Sequence, residues 1–293
     1  MNFVILDLEW DNTFFNKGKV VLNEIIEFGA VKTDEDFNII DEFSVLVKPK
    51  LGKFISKRTS KLTHLTTEMI MAEGIPFCEA LSKFKVFLGD AVLLTWSTSD
   101  ILTLTDNNKY YYNTNELDYI KEYVNAQTYC EKMLGCYNPA KQMGLSAAAE
   151  KLGIKTEDME LHRALDDSIL TQQCVKKVYD RANIQDFVED SSNPDFYRRL
   201  AFKPFYITNT RNPEIKNSDM SFSCPECGAK AKKKSKWEVK NNHIRASFKC
   251  SQCNKMFYGI MQFKVTFDGV ITKKRTTEIP TSKPTNDEEQ LKK

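Results

Sequence analysis

The sequence predicts an α/β domain followed by a small cysteine-bearing module, on three observations. An apolar run at the amino terminus, Phe3-Val4-Ile5-Leu6, continues through Asp7-Leu8-Glu9-Trp10. A second apolar run, Val92 to Trp96, passes directly into a helix start, Ser97-Thr98-Ser99-Asp100-Ile101. Two CxxC pairs, Cys224/Cys227 and Cys250/Cys253, stand 22 residues apart near the carboxyl end. Short continuous apolar runs read as covered strands, and a strand that opens into a helix belongs to an open α/β sheet.

Side chains alternate along the first strand, so Asp7 and Glu9 project from one face about 7 Å apart. In a covered strand, ionised carboxylates are costly unless they are paired or bound to metal, which makes a divalent cation their natural partner. The plainer alternative is an edge strand whose two acids point into water. The stretch Asp11 to Val21 reads as a polar insertion before the second strand, placed to gate whatever Asp7 and Glu9 bind.

The second run places Asp100 at the carboxyl end of a strand, where sites form in open α/β sheets. Ser97, Thr98 and Ser99 already offer helix caps, so Asp100 is not needed as one. Further on, Leu161-His162-Arg163-Ala164-Leu165-Asp166-Asp167-Ser168 opens a helix that runs to about Tyr179. Ala164, Leu170, Cys174 and Val178 form its buried stripe, and Asp167 falls within it. Asp166 lines up instead with Gln173 and Lys177 as a solvated first-turn acid favoured by the helix dipole. His162 stands just before the helix or in its first turn, within reach of the same spot. Four acids and one histidine so distributed describe a two-metal site, in which two ions about 4 Å apart hold a phosphodiester and activate a water. Oxygen-only ligands indicate Mg²⁺ or Mn²⁺ rather than zinc.

Asp7-x-Glu9, then Asp100, then His162-x-Ala164-x-x-Asp167 resemble, in order and spacing, the three motifs of the DEDDh family of 3′-to-5′ exonucleases. Asn23 to Val31 resembles the family's second strand, and Phe43 to Pro49 with Leu62-Thr63-His64-Leu65-Thr66 resembles its third strand and the loop after it. The resemblance covers residues 1–185. It implies an RNase H-like fold, a mixed sheet flanked by helices, with Asp7, Glu9, Asp100 and Asp167 as metal ligands and His162 as general base. A histidine titrates near neutral pH, which suits that role. Hydrolysis would release nucleoside 5′-monophosphates from a free 3′ end. The chain looks most similar to the branch that trims RNA 3′ ends, including histone-mRNA and small-RNA processing enzymes. Single-stranded RNA is therefore the favoured partner, and single-stranded DNA stays open because no residue identifies a 2′-hydroxyl sensor. Many relatives carry a small or hydroxyl residue after the second acid, where this chain has Trp10, which either stacks on the terminal base or packs in the core. The contrasting class is a non-catalytic nucleic-acid-binding or assembly protein, but binding alone would not require all five residues.

Composition agrees with a soluble enzyme: 293 residues at 41% hydrophobic content suffice for a large core and a second small domain. No apolar stretch approaches membrane-spanning length and the amino terminus lacks a signal pattern, so no membrane partner is expected and the expected compartment is cytoplasmic. Cys78, Cys130, Cys136 and Cys174 read as buried, reduced thiols.

The spacing of Cys224, Cys227, Cys250 and Cys253 is that of a four-cysteine zinc site. Between the pairs, Trp237 to Lys240, Asn241-Asn242 and His243 to Phe248 read as a hairpin, which makes the module a zinc ribbon, too small to fold without its ion. His243 lies near the turn and is not expected as a ligand. From Lys216 to Lys255 the formal charge is +7, whereas residues 1–215 carry −7. A basic ribbon beside an acidic domain fits a module that grips phosphates, through Lys230, Lys232, Lys233, Lys234 and Lys236 with Trp237 as a stacking or core residue. The other reading of that run is a solubilising surface or a contact for an acidic protein. Phe248 and Phe257 are expected in the ribbon core. The implied organisation is an exonuclease-like domain over 1–189, a partly packed connector over 190–221, a ribbon over 222–277 and a disordered tail over 278–293.

Overall fold

Phe3 to Leu6 are all buried, because the strand they begin is covered on both faces. In the computed structural model, which describes residues 1–15, 20–138, 141–156 and 162–279, the chain divides into two units, Met1–Ala201 and Phe202–Lys293. The strands of the first are β1 (Phe3–Phe15), β2 (Val20–Thr33), β3 (Ile39–Lys48), β4 (Ile75–Pro76), β5 (Val92–Thr95), β6 (Glu122–Asn125) and β7 (Glu189–Asp190). They form one mixed sheet in the order β4-β3-β2-β1-β5-β6-β7, with β1 antiparallel to β2 and parallel to β5.

Nine helices are described in this unit: α1 (Lys57–Thr63), α2 (Thr67–Glu73), α3 (Phe77–Leu88), α4 (Thr98–Tyr112), α5 (Ala126–Met133), α6 (Leu145–Lys151), α7 (Ala164–Val178), α8 (Arg181–Ile184) and α9 (Pro194–Ala201). Alternation along β1 builds two cores. Val4, Leu6 and Leu8 pack with Phe77, Leu81 and Phe84 of α3 and with Ile101 and Leu104 of α4. Phe3 and Ile5 pack on the other face with Tyr129 of α5, Ala148 of α6 and Leu170 and Cys174 of α7. Asp7 and Glu9 continue the Phe3–Ile5 row past the end of that second core.

The expected polar insertion from Asp11 to Val21 is instead strand: β1 runs on to Phe15 and pairs with Val20 to Glu24. Asp and Asn disfavour strands, but here they do tertiary work. Asp11 accepts from the Ser56 N–H at 2.7 Å and from the hydroxyls of Ser56 and Thr59 at 2.8 and 2.6 Å, which fixes the start of α1. Glu24 accepts from the N–H groups of Lys50, Leu51 and Gly52 at 2.5, 2.9 and 2.9 Å. These buried carboxylates tie the loop after β3 to the hairpin; residues 16–19 lie outside the described residues. The register slips beside Glu9, with Glu9 opposite Glu27 and Trp10 opposite Ile25, so Ile26 is a bulge. Asn107 of α4 satisfies the disturbed ladder, accepting from the Ile25 N–H and donating to the Asn23 carbonyl.

The stretch expected as a connector, 190–221, is shared between the units. Asp190 belongs to β7, and Phe196 and Tyr197 of α9 are buried in the first core, because those aromatics need cover. From Phe202 onward the chain belongs to the second unit, where β8 (Phe205–Ile207) pairs with β12 (Met256–Thr266). The other strands are β9 (Ala231–Lys233), β10 (Glu238–Lys240), β11 (His243–Cys250) and β13 (Gly269–Glu278). The Asn241-Asn242 turn is as expected, with φ of 48° and 59°. The unit is larger than a minimal ribbon: six strands enclose a core of Ile207, Phe222, Ile244, Phe248, Phe257, Met261 and Phe263. Of the four scattered cysteines only Cys130 and Cys174 are buried; Cys78 is exposed and Cys136 half-buried, since α3 turns Cys78 outward and Cys136 follows the end of α5. The expected tail lies, from residue 280, outside the described residues, and no described helix is long and apolar enough to cross a membrane.

Candidate active site and metal centre

Asp7, Glu9 and Asp167 each present a carboxylate oxygen within 4.8 Å of the others. Asp100, in the first turn of α4, is buried at 5% exposure and accepts the Leu8 N–H at 3.1 Å. That donor is available because β5 pairs with β1 only through Ile5. All four acids line one cleft of about 670 Å³, whose wall continues along Trp10, Asn12 and Phe14 to Arg58 and Leu62 of α1. Trp10 packs partly on the first core while its remaining surface faces this cleft.

Asp167 reaches the cluster because α7 is docked tightly on β2. Arg163, at the helix start, has no side-chain cap; the buried Glu27 carboxylate accepts from the Ala164 N–H at 3.3 Å and from the Arg163 guanidinium at 2.7 Å. Ser168 donates to the Gly29 carbonyl at 2.8 Å. A Cβ on Gly29 would lie 2.1 Å from the Ala164 backbone, so only glycine permits this approach. Gly29→Ala is therefore expected to push α7 outward, destabilise the protein by about 1–3 kcal/mol and lower turnover about a hundredfold. Thermal melting and steady-state kinetics on the variant check both; full activity would show that α7 can retreat without moving Asp167.

The expected stripe on α7 is broader in the structure: Ala164, Ser168, Thr171 and Val175 are buried beside Leu170 and Cys174, and Asp167 sits half-buried at the stripe's edge, facing the cleft. His162 precedes the helix in a left-handed conformation, φ 70°, and its N–H donates to Asp167 Oδ2 at 3.3 Å. Its imidazole is exposed and does not line the cleft; Leu161, before it, lies outside the described residues. Sequence reasoning missed Glu27, Arg163, Gly29 and Asn107, and also Trp96, which lines the cleft with its indole N–H buried and without a partner among the described residues.

The acids repel one another in a cleft that shields them partly from water. Burial, reinforced by Asp100, Asp167, Glu9 and Glu27, holds the Asp7 carboxyl well above the usual carboxylate range. Burial together with Asp167 and Glu27 pushes Glu9 up to about 8, and burial raises Asp100 to about 7 against the bond from Leu8. Burial also raises Asp167, opposed by the nearby His162. Without metal, the folded protein keeps protons that the unfolded chain loses near pH 4, so this contribution to stability is full below about pH 4 and lost as pH climbs through about 7 to 8. Divalent cations compete with those protons. The gain in melting temperature on adding Mn²⁺ is expected to grow from about pH 6 to about pH 8, and a gain independent of pH would contradict binding at these acids.

The second unit gathers its four cysteines into one cluster. Their sulfurs approach at 3.5 Å for Cys224–Cys253, 3.4 Å for Cys227–Cys250 and 3.7 Å for Cys227–Cys253. A tetrahedron of sulfurs at the usual zinc distance has edges of about 3.8 Å, so the donor set fits a structural Zn²⁺. Each CxxC turn is followed by a left-handed residue, Gly228 at φ 72° or Asn254 at φ 60°, which folds the chain back. The N–H groups of Gln252 and Cys253 donate to Cys250 Sγ at 3.3 and 3.4 Å, orienting that ligand. Of the lysine run, Lys230, Lys232, Lys234 and Lys236 are exposed, and Lys233 lies 4.9 Å from the centroid of Trp237, which itself packs on Phe248.

Comparison with known proteins decides the family. A family model described as exonuclease matches residues 4–173. The chain belongs to the exonuclease family. Within that family, its motifs resemble those of the DEDDh, 3′-to-5′ type. Among solved structures it is similar to a 3′-exonuclease described in recognition of the histone mRNA stem-loop, at 21% identity and TM-score 0.53 over 64% of this chain and 84% of that one. It is also similar to the nuclease domain of 3′hExo bound to rAMP, at 21% identity and TM-score 0.51 over 63% of this chain and 92% of that one. No curated protein sequence matches it.

Proposed function

We propose that the first unit hydrolyses single-stranded nucleic acid from the 3′ end, with RNA favoured over DNA, by a two-metal mechanism in which His162 is the general base. The observation that carries the reading is the convergence of Asp7, Glu9 and Asp167 within 4.8 Å, with Asp100 on the same cleft. An oxygen-only donor set, raised in pKa by burial and mutual repulsion, suits a hard cation such as Mg²⁺ or Mn²⁺. When bound, such ions supply neutralisation of the phosphodiester and a more acidic attacking water.

The chain's own groups do the rest. The pleat of β1 aims Asp7 and Glu9 at one point, and the Leu8 N–H holds Asp100 beside them. His162, exposed beside Asp167, takes a proton from water once its ring turns toward the cleft, while its own N–H restrains Asp167. Trp10 offers a flat apolar surface in the cleft to a terminal base. The preference for RNA is supported by the likeness to structures solved with a histone mRNA stem-loop and with rAMP. End-labelled single-stranded RNA and DNA, incubated with Mg²⁺, Mn²⁺ or chelator beside Asp7→Ala, test this reading. Metal-dependent shortening from the 3′ end, faster on RNA and absent in the variant, is expected; binding without shortening would favour a non-catalytic role.

A further inference from the structure

Charge that the cleft does not use is concentrated on the sheet of the second unit, and the pairing register sorts it by face. Ile244, Ala246 and Phe248 of β11 and Phe257, Met261 and Phe263 of β12 point into the core, so their strand neighbours point to the opposite, open face. On that face Glu238, Arg245, Ile260 and Arg275 stand directly opposite one another across β10, β11, β12 and β13. One step along, about 6.8 Å away, Lys240 pairs with His243 and Gln262 pairs with Lys273. Toward the other end, Lys232 stands opposite Lys249.

Two features make this more than a solvated surface. Like charges placed directly across strands destabilise a sheet, yet Lys232 and Lys249 are so placed, which an anionic partner would offset. The cations also converge: Lys240, Asn241, His243, Arg245 and Arg275 surround Ile260 in a recess of about 230 Å³. Glu238, the carboxylate in these rows, is bonded to Arg245 at 2.9 Å, and the Arg245 guanidinium lies 5.0 Å from the Tyr258 ring centroid. The rows therefore present net positive charge at regular intervals, with an apolar floor and an aromatic neighbour.

We propose that this open face binds the backbone of single-stranded nucleic acid, with phosphates on the rows of Lys240, Lys273 and Arg275 and of Lys232 and Lys249. The identity of the polyanion rests on the exonuclease reading; the location of the surface rests on the register. It overlaps the lysine run between the cysteine pairs only in part: Lys232 lies on this face opposite Lys249, and Lys234, whose N–H donates to the Ser247 carbonyl, follows it by alternation, whereas Lys233 stands opposite the core residue Phe248. A sheet holds the backbone under these cations at fixed spacing, so less backbone freedom is lost on binding than for lysines on turns.

The test measures binding of a labelled single-stranded oligonucleotide by fluorescence anisotropy across a salt series, in the Asp7→Ala background so that no cleavage intervenes. K240E/K273E/R275E is expected to weaken binding at least about tenfold and to reduce the slope of log K against log salt by about 2, at roughly 0.7 per lost phosphate contact. K240R/K273R/R275K, which keeps the charges, is expected to stay within about twofold, and zinc content reports that each variant is folded. Unchanged affinity and slope in the first variant overturn the proposal, as does a loss confined to K233E/K236E. So does a first variant that keeps oligonucleotide binding but loses binding to polyglutamate, which would assign the face to an acidic protein. Cleavage by the unaltered protein is followed in parallel, and its absence would count against the exonuclease reading without bearing on where the strand binds.

Discussion

Asp7→Asn is expected to cut nucleotide release about a thousandfold or more while raising the melting temperature of the metal-free protein. Both effects come from the same place. Asp7 is half-buried beside Asp100, Asp167, Glu9 and Glu27, and its carboxyl is held well above the usual range by desolvation and those charges. In the metal-free protein near pH 8 the cluster is a net cost to folding, and an isosteric amide removes a charge without opening a cavity. The amide is also a poorer ligand for a hard cation, so the stabilisation that Mn²⁺ confers should largely vanish. Opposite movements of activity and stability distinguish a functional cluster from a structural one. A variant that is both inactive and less stable, with Mn²⁺ stabilisation intact, would place Asp7 in the framework rather than at the metals.

The acids of the site were legible because each obeys a local period. Asp7 and Glu9 are two apart on a strand, and Asp167 lies one helical turn beyond Arg163, whose carbonyl receives its N–H. What positions them was not legible, because it is long-range. Glu27 and Ala164 are 137 residues apart in sequence, and Asn107 and Asn23 are 84 apart. Nothing in Asn23-Glu24-Ile25-Ile26-Glu27 marks Ile26 as a bulge, since all five residues are compatible with a regular strand. Asp11 misled in the opposite direction: followed by Asn12 and Thr13 it looks like the start of a loop until the Ser56 N–H it accepts from is known. In the second unit, the cysteine spacing and the Asn-Asn turn disclosed the ribbon, but β12 and β13 carry alternating residues whose inner partners come from β8, β11 and the stretch around Phe222.

Removing zinc is expected to unfold the second unit and leave the first intact. The second unit's core is larger than a minimal ribbon's, which raises the question whether it would survive alone. The placement of the ligands argues that it would not. Cys224 and Cys250 are 3% and 1% exposed and belong to the same core as Phe222, Phe248 and Phe257, so an ion on them would hold together the segments that close that core. Four thiols within 3.4 to 3.7 Å of their neighbours would repel once deprotonated and uncoordinated. Structural zinc contributes about 10–16 kcal/mol in small modules at neutral pH, more than the few kcal/mol of net stability expected for a unit of this size. Cys250→Ser or a strong chelator should therefore abolish one of two thermal transitions. The other transition, from the unit with its own cores on both faces of β1, should shift by no more than a few degrees. Circular dichroism melts with and without chelator, with zinc quantified, settle it. A single transition that moves as a whole would mean the two units unfold as one, and retention of both without zinc would show that the six-stranded core suffices.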